Sequence, residues 1–316
     1  MKFSAPGKII LFGEHAVVYK RPALAVPVSQ VQVDVEVLDS DTPGIWIDAP
    51  MVNLHGELST LPSDHPMGSV ILKVFSPPFA SPYFLEDKMK SPRGLEIRIR
   101  STIPVAAGLG SGAAVSVALI RALASFLNQP LSNEQVNALV FETEKLYHGT
   151  PSGIDNTVIS YNMPVYYIKD KPIETFKCGK PFTIVIGDTG VPAPTKESVG
   201  DVRRLWLRDP NRFDGIFNEV AQISSMARHF IESGRPEHLG GLMDQNHEFL
   251  QQMTVSSPEL DVLVYAARRA GALGAKLSGG GRGGNMIALT DQASAESVAQ
   301  ALRSAGAKHT IITEVS

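Results

Sequence analysis

Three glycines gathered around one serine, Gly108, Gly110 and Gly112 about Ser111, stand between a strand-like run and an apolar helical run in PVAAGLGSGAAVSVALIRAL, residues 104–123. Glycine weakens helix interiors and is used where a backbone must bend or come close to another group. A helix that begins near Ser111 presents unpaired N–H groups and a partial positive charge, which is the chemistry of a phosphate site. The Ser111 hydroxyl adds a donor. The stretch is not a P-loop, since no Gly-Lys-Ser/Thr follows, and its spacing is not that of a dinucleotide fingerprint. A flexible strand–helix connection would use the same glycines, and the stretch alone does not separate the two readings.

Two carboxylates come next. Asp155 lies in HGTPSGIDN, 148–156, after a Pro-Ser-Gly turn and before a strand-like run. Glu144 lies 11 positions earlier, near the end of a helix. Beside a phosphate cradle, one carboxylate can hold Mg²⁺, which prefers oxygen ligands, while the other faces a hydroxyl nucleophile. Solvated surface carboxylates would look the same. In SAPGKIILFGEHAVVY, 4–19, Lys8 heads a strand and Glu14 and His15 follow its end after Gly13. A lysine near a carboxylate and a substrate hydroxyl can stabilise alkoxide and phosphoryl charge. The bland alternatives are a solvated strand-end charge for Lys8 and a core histidine bonded to backbone for His15. A second glycine turn, KLSGGGRGGN over 276–285, either covers a phosphate or shapes a hairpin.

Elements that could position these groups are legible in the hydropathy pattern. The run KIILF, 8–12, reads as a buried strand. Val31, Val33, Val35 and Val37 alternate with polar residues in 23–38, as do Leu95, Ile97 and Ile99 in 94–102, so both read as strands with one wet face. Residues 39–92, rich in Pro, Ser and Asp, are expected to be mostly loop with one short helix, serving either as a lid or as a tolerated insertion. A helix is predicted from Ser111 to about Leu127. Another is predicted to about His148, introduced by the capping-box spacing of Ser132 and Gln135. Residues 151–168 are expected to turn and return as strands. A strand FTIVIGDTG opens the second part. Helices follow near 212–233, 236–252 and 257–270, then the glycine turn, the strand MIALT, a helix at 292–305 and the strand HTIITEV.

The chain has 316 residues, which predicts two domains, divided near 170–180 into 1–175 and 176–316. Hydrophobic residues make up 43% and charged residues 19%, the mix of a packed globular protein. A net charge of −3 leaves no basic excess for nucleic acid or an anionic membrane. The single cysteine, Cys178, excludes a disulfide within the chain and argues against zinc-thiolate chemistry, consistent with a cytoplasmic location. Pro6, Gly7, Lys8, Gly13 and Glu14 interrupt what would otherwise resemble a signal peptide. The most apolar window, 103–127, carries Arg121 near its middle and reads as a buried helix.

Taken in order, PGKIILFGEHAVVY, PVAAGLGSGAA and KLSGGGRGGN resemble the three motifs of the small-molecule kinase superfamily named for galactokinase, homoserine kinase, mevalonate kinase and phosphomevalonate kinase. The resemblance spans nearly the whole chain. Within that group, FGEHAVVY, HGTPSGIDN and GDTGVPAPTKESV (187–199) are similar to the mevalonate kinases. The resemblance implies an α+β fold in two lobes. The N-terminal lobe would be a ribosomal-protein-like α/β domain and the C-terminal one ferredoxin-like, with the active site in the cleft between them. It implies phosphoryl transfer from ATP to the C5 hydroxyl of mevalonate in isoprenoid biosynthesis, and homodimers are common in the group. Other kinases of the superfamily, and a catalytically silent ligand sensor on the same fold, are the alternatives.

By the same resemblance Asp155 is the catalytic base and Lys8 the lysine that contacts it. Pro104, Ala107, Gly108, Leu109, Gly110, Ser111, Gly112 and Ala113 wrap the ATP phosphates. Glu144 binds Mg²⁺. Glu14, His15 and Thr195 meet mevalonate, and Gly279, Gly280 and Gly281 lie near the reacting phosphate and substrate. Two departures stand out. Gly112 occupies the place of a second serine that ligates Mg²⁺ in relatives, leaving water, Ser111 or a rearranged shell. Arg282 and Gly280 alter the third motif, with Arg282 expected to point to solvent rather than to phosphate.

Overall fold

The computed structural model describes residues 1–81, 83–104, 108–148, 151–193 and 195–316, with the backbone alone for 88–90 and 146–148. In chain order the elements begin with β1 (Lys2–Phe12), β2 (Ala23–Ser40), β3 (Ile45–Ala49), β4 (Leu54–Glu57), α1 (Pro66–Val74), α2 (Phe84–Lys90), β5 (Gly94–Ser101), α3 (Ser111–Phe126), α4 (Asn133–His148) and α5 (Ile154–Tyr161). They continue with β6 (Val165–Tyr167), β7 (Glu174–Thr175), β8 (Phe182–Asp188), α6 (Thr195–Arg208), α7 (Pro210–Glu232), α8 (Leu239–Gln252) and α9 (Pro258–Arg269). The chain closes with β9 (Gly274–Ser278), β10 (Asn285–Thr290), α10 (Ala295–Ser304) and β11 (His309–Val315). The fold is α+β and resolves into two compact units.

The first unit comprises Met1–Gly7, Val31–Val105 and Gly110–Asn162. Residues 33–40 of β2 pair antiparallel with β5, which pairs parallel with β3, and β3 continues antiparallel to β4. The alternation read from sequence is the burial pattern. Val33, Val35 and Val37 are buried, as are Leu95, Ile97 and Ile99, while Arg98 and Arg100 are exposed. Helices α1, α3, α4 and α5 pack together. Most of α3 is buried, as its nearly all-round apolar sequence requires. The one charge within it, Arg121, is satisfied by the Asn133 side chain at 2.7 Å and the Ser160 carbonyl at 2.9 Å. The expected capping box forms: the Ser132 N–H donates to Gln135 Oε1 at 2.9 Å and the Gln135 N–H to Ser132 Oγ at 3.3 Å.

The second unit comprises Lys8–Gln30, Ala106–Leu109 and Met163–Ser316. Its antiparallel sheet runs β11-β8-β10-β9, with Ile186 of β8 flanked by Ile287 and Ile311. Strand β10 is buried along its whole length and β8 along all but its last residue, so they read as continuous apolar runs rather than alternating ones. Helices α8 and α9 pack on β9, and α10 packs on β8. The segment after β1 is gathered into this core. Ala16 is buried, and the Tyr19 ring stacks on Phe217 with centroids 4.2 Å apart.

Three stretches depart from the sequence reading. Residues 39–92 hold β3, β4, α1 and α2, because Ile45, Ile47 and Ala49 make a short buried alternation inside a Pro- and Ser-rich composition. Residues 151–168 do not simply return as strands. Gly153, at φ +90°, turns the chain into α5, which places Asp155 in the first turn of a helix. Helix α6 had no counterpart in the reading, since its apolar residues are confined to Val199, Val202, Leu205, Trp206 and Leu207 in a charged sequence.

Candidate active site

In the first unit, α3 starts directly after Gly110, which takes φ +74° and offers no side chain to cap the helix. The Ala114 N–H reaches back to the Gly110 carbonyl at 2.9 Å, which leaves the preceding amides of the first turn without intrahelical acceptors. Ser111 is half-buried, Gly112 is exposed and Ala113 is buried in that turn. A methyl placed on Gly112 would lie 3.7 Å from Glu144 Oε1. Glu144, on α4, is only 7% exposed. A buried carboxylate is therefore held against the uncapped start of a helix that is itself suited to anions. Such a pairing makes sense when a cation sits between carboxylate and phosphate, and Mg²⁺ commonly takes one or two carboxylates with substrate phosphates and water. Among the described residues no group of three or more His, Cys, Asp or Glu side chains could hold a metal by itself. Glu144 and Ser111 nevertheless fit an ion whose remaining ligands come from substrate.

Asp155 is half-buried in the first turn of α5, where the helix dipole favours a carboxylate. The turn below it is firmly built. Thr157 Oγ1 donates to the Gly153 carbonyl at 2.6 Å, and Asn156 Nδ2 donates to Asn137 Oδ1 at 2.6 Å. Pro104, half-buried, precedes the turn, and Ala107 lies outside the described residues.

In the second unit, Lys8 is 5% exposed, so it is not a solvated strand-end charge. Its backbone N–H donates to the Leu109 carbonyl at 3.0 Å, which fixes the entrance of the first glycine turn to β1. Gly108 takes φ +72°, and among the described residues a methyl there would meet nothing nearer than Asn285 Nδ2 at 3.6 Å. Past β1 the chain turns at Gly13, where any side chain would overlap Ala23. Glu14 then points inward to Lys276, a fully buried lysine of β9 that also donates to the Leu277 carbonyl at 2.6 Å. Burial pushes the Glu14 carboxyl up and the Lys276 ammonium down, and the attraction between them opposes both shifts. Ser278 Oγ donates to the Ile10 carbonyl at 2.8 Å, closing the β9 end onto β1.

His15 follows in a left-handed conformation, φ +59°, which is uncommon for a bulky residue. Its Nε2 lies 3.0 Å from the Gly280 carbonyl. Burial first, and the Arg282 charge after it, lower its pKa to about 4 against the pull of that bond. The ring is therefore neutral near pH 7. Nε2 carries the proton donated to Gly280, and Nδ1 is a buried acceptor with no partner among the described residues. The second glycine turn, 279–284, joins β9 to β10 as a hairpin. Thr195, exposed at the head of α6, sits against Gly280, where a methyl would lie 2.8 Å from Thr195 Oγ1. Arg282 faces solvent only in part: its side chain is 31% exposed, and its guanidinium pairs with Asp201 of α6 from a left-handed backbone at φ +60°.

Of the expected residues, the structure thus brings Ser111, Gly112 and Glu144 together in the first unit. In the second it gathers Glu14, His15, Thr195 and Gly279–Gly281. Lys276 and Asp201 escaped the sequence reading. The available signal for Lys276 was a charge inside GAKLS, an otherwise apolar strand entering a glycine turn. No described helix is long and apolar enough to cross a membrane.

Models of the GHMP kinases N terminal domain and the GHMP kinases C terminal match residues 78–162 and 227–308, so the class of small-molecule kinases is defined in both halves of the chain. The mevalonate kinases of Thermococcus gammatolerans and Pyrococcus furiosus are each 37% identical to it, over 99% of this chain and 95% of theirs. The crystal structure of L. major mevalonate kinase in complex with R-mevalonate superposes with a TM-score of 0.82 at 29% identity, covering 100% of this chain and 95% of that one. The chain belongs to the mevalonate kinase family and is an enzyme.

Proposed function

We propose that the chain transfers the γ-phosphoryl group of ATP to the C5 hydroxyl of mevalonate, with Mg²⁺ held on the Glu144 side of the first glycine turn. Phosphorylation of mevalonate by ATP is the activity of the family. The observation that carries the placement of the nucleotide is the buried Glu144 carboxylate against the uncapped first turn of α3 at Gly112. When bound, Mg²⁺ supplies charge neutralisation across the transferred phosphates, with Glu144 and the Ser111 hydroxyl or water as its neighbours.

The chain's own residues divide the rest. The amides at the start of α3 and the glycine backbone of 108–112 take phosphate oxygens. Asp155 orients the substrate hydroxyl and accepts its proton, and Lys8 stabilises charge that develops as the phosphoryl group moves. Glu14, His15 and Thr195 hold mevalonate. The neutral His15 supports this reading, because its Nδ1 can accept a hydrogen bond from a hydroxyl and its Nε2 is already committed to Gly280. Phosphoryl transfer asks mainly for alignment and charge neutralisation, which rigidly held groups provide.

Incubation with ATP, Mg²⁺ and mevalonate, followed by ³¹P and ¹H NMR of the product, tests the assignment. Phosphate coupled to the C5 methylene is expected. Phosphate on the tertiary hydroxyl, or ATP consumption without a phosphorylated product, overturns it.

A further inference from the structure

Helix α6 is anchored unevenly. Its second half is held by apolar packing, with Val202 in the core and Leu205 and Trp206 against it. Its first turn, Thr195 to Glu197, is exposed. Ser198, the residue after that turn, is buried and its Oγ donates to the Thr195 carbonyl at 3.1 Å, and two contacts tie this end of the helix to the second glycine turn. Thr195 lies directly over Gly280, with no room for a methyl between them. Six residues along the helix, Asp201 pairs with the Arg282 guanidinium. Arg204 shares the same carboxylate from one turn further on. Arg282 is 31% exposed at its side chain, and its backbone is held in the left-handed region by an N–H bond to the Val255 carbonyl at 2.8 Å. A left-handed arginine persists where its surroundings over-determine it, and such strain gathers at functional positions.

We propose that Arg282 is a positioning residue for substrate binding: through Asp201 it fixes α6 so that Thr195 stays seated on Gly280. The inference rests on the reading above that Thr195 meets mevalonate. The Arg282 guanidinium is committed to Asp201, so it acts on the substrate through the helix rather than by touching it. Nor does it act through the charge of His15, which burial, the largest cause, keeps neutral at pH 7.

The test is steady-state kinetics with both substrates varied, on Arg282→Asn, Asp201→Asn, their double variant, Gly280→Ala and Thr195→Val. Asparagine tolerates the left-handed backbone at 282. The two Asn single variants are expected to raise the KM for mevalonate about two- to fivefold, the range a partly exposed ion pair supports, with kcat and the KM for ATP nearly unchanged. The double variant is expected to be no worse than the larger single, as coupled partners require. Arg282→Lys is expected to recover part of the loss. Gly280→Ala should raise the mevalonate KM about tenfold by displacing Thr195. In a Thr195→Val background, Arg282→Asn should add nothing.

If Thr195→Val raises the mevalonate KM but Arg282→Asn does not, the proposal is wrong and the substrate reading stands. Equal falls in kcat and both affinities for Arg282→Asn would mean a general structural role and would also overturn it. If Thr195→Val leaves the mevalonate KM alone, the substrate reading of Thr195 fails. Amide exchange over 195–201 then decides the clamp alone, with unchanged protection in Arg282→Asn overturning it and faster exchange retaining it.

Discussion

The two glycine turns differ in what occupies the space a side chain would fill. Around the first, methyls on Gly108 and Gly112 would stop 3.6 and 3.7 Å from their nearest neighbours among the described residues, an ordinary van der Waals distance. Around the second, methyls on Gly280, Gly281 and Gly283 would run into Thr195, the Val255 carbonyl and the Val191 carbonyl. Glycine in the first turn leaves room for something outside the chain. In the second, Gly280, Gly281 and Gly283 let the chain approach itself, bringing β9, β10, α6 and the segment after Thr254 together, while Gly279 at its start faces no neighbour within 4 Å among the described residues. Similar composition thus serves two ends, and the difference is only visible in what lies opposite each Cα.

The comparison predicts that changes at the first turn act on nucleotide and metal, and that changes at the second act on the protein's own packing, with Gly281 felt in stability and Gly280, against Thr195, felt in mevalonate binding. The largest effect is expected from Glu144→Gln, which removes the charge facing the first turn. A fall of about 10²–10³-fold in kcat/KM for ATP is expected, together with a higher Mg²⁺ requirement and an unchanged melting temperature. An unchanged Mg²⁺ titration would detach Glu144 from the metal. Next comes Gly281→Ala. It forces a methyl into the carbonyl that receives the Arg282 N–H, at a backbone φ of +74°, and should cost about 2–4 kcal/mol of stability in urea unfolding. A variant as stable as the parent would show that the second turn yields easily, and the contrast with the first would disappear.

Much of this was legible in the sequence, and the remainder failed for identifiable reasons. The alternations at Val31–Val37 and Leu95–Ile99, the capping box at Ser132 and the start of α3 at Ser111 are local signals, and local signals survive folding. Helix α5 was hidden because Pro151, Ser152 and Gly153 read as a turn into a strand, whereas Gly153 opens a helix. Helix α6 was missed although Val199, Val202 and Trp206 recur at helical spacing, because few apolar residues lie in a basic run interrupted by Gly200. The approach of Glu144 to Gly112 joins positions 32 apart, and the pairing of Lys276 with Glu14 joins positions 262 apart. Neither could be read from local spacing. Residue types advertised the chemistry of Lys8, Glu14 and His15, but only packing shows that all three are buried.

Acid should separate the two turns as well. The second is braced by two neutral histidines: His15 bonds to Gly280, while His247 accepts the Leu277 N–H on Nδ1 at 3.3 Å and meets Asp261 through Nε2 at 3.1 Å. Burial is the main cause that lowers each pKa to about 4. A histidine whose folded pKa lies below its unfolded one binds protons first in the unfolded state. Its stabilisation is therefore whole above pH 6.5 and is lost as the pH falls from there toward 4. Each accounts for a loss on the order of 3 kcal/mol between pH 6.5 and 4, of which about 2 kcal/mol falls above pH 5. Urea unfolding at pH 7.5, 6 and 5 should show the decline, and His247→Gln should flatten it. A stability that is level across this range would mean that the two rings are not held neutral.

The smallest effect is the most discriminating. Gly112→Ala adds a methyl to the first turn of α3, at contact distance from Glu144 and with no left-handed backbone to oppose it. Alanine is the better helix former, so by itself the change should stabilise the protein by about 0.5–1 kcal/mol. The same methyl would stand on the side from which phosphate and metal approach the helix start. Stability and function should therefore move in opposite directions: a slightly higher melting temperature and a KM for ATP raised about two- to fivefold, equivalent to up to about 1 kcal/mol of binding. The Gly281→Ala change moves both downward together, because there the space is already filled by the chain. If Gly112→Ala instead raised the melting temperature and left the ATP KM where it was, the openness of the first turn would be a property of the empty protein alone, and the phosphates would have to be placed elsewhere.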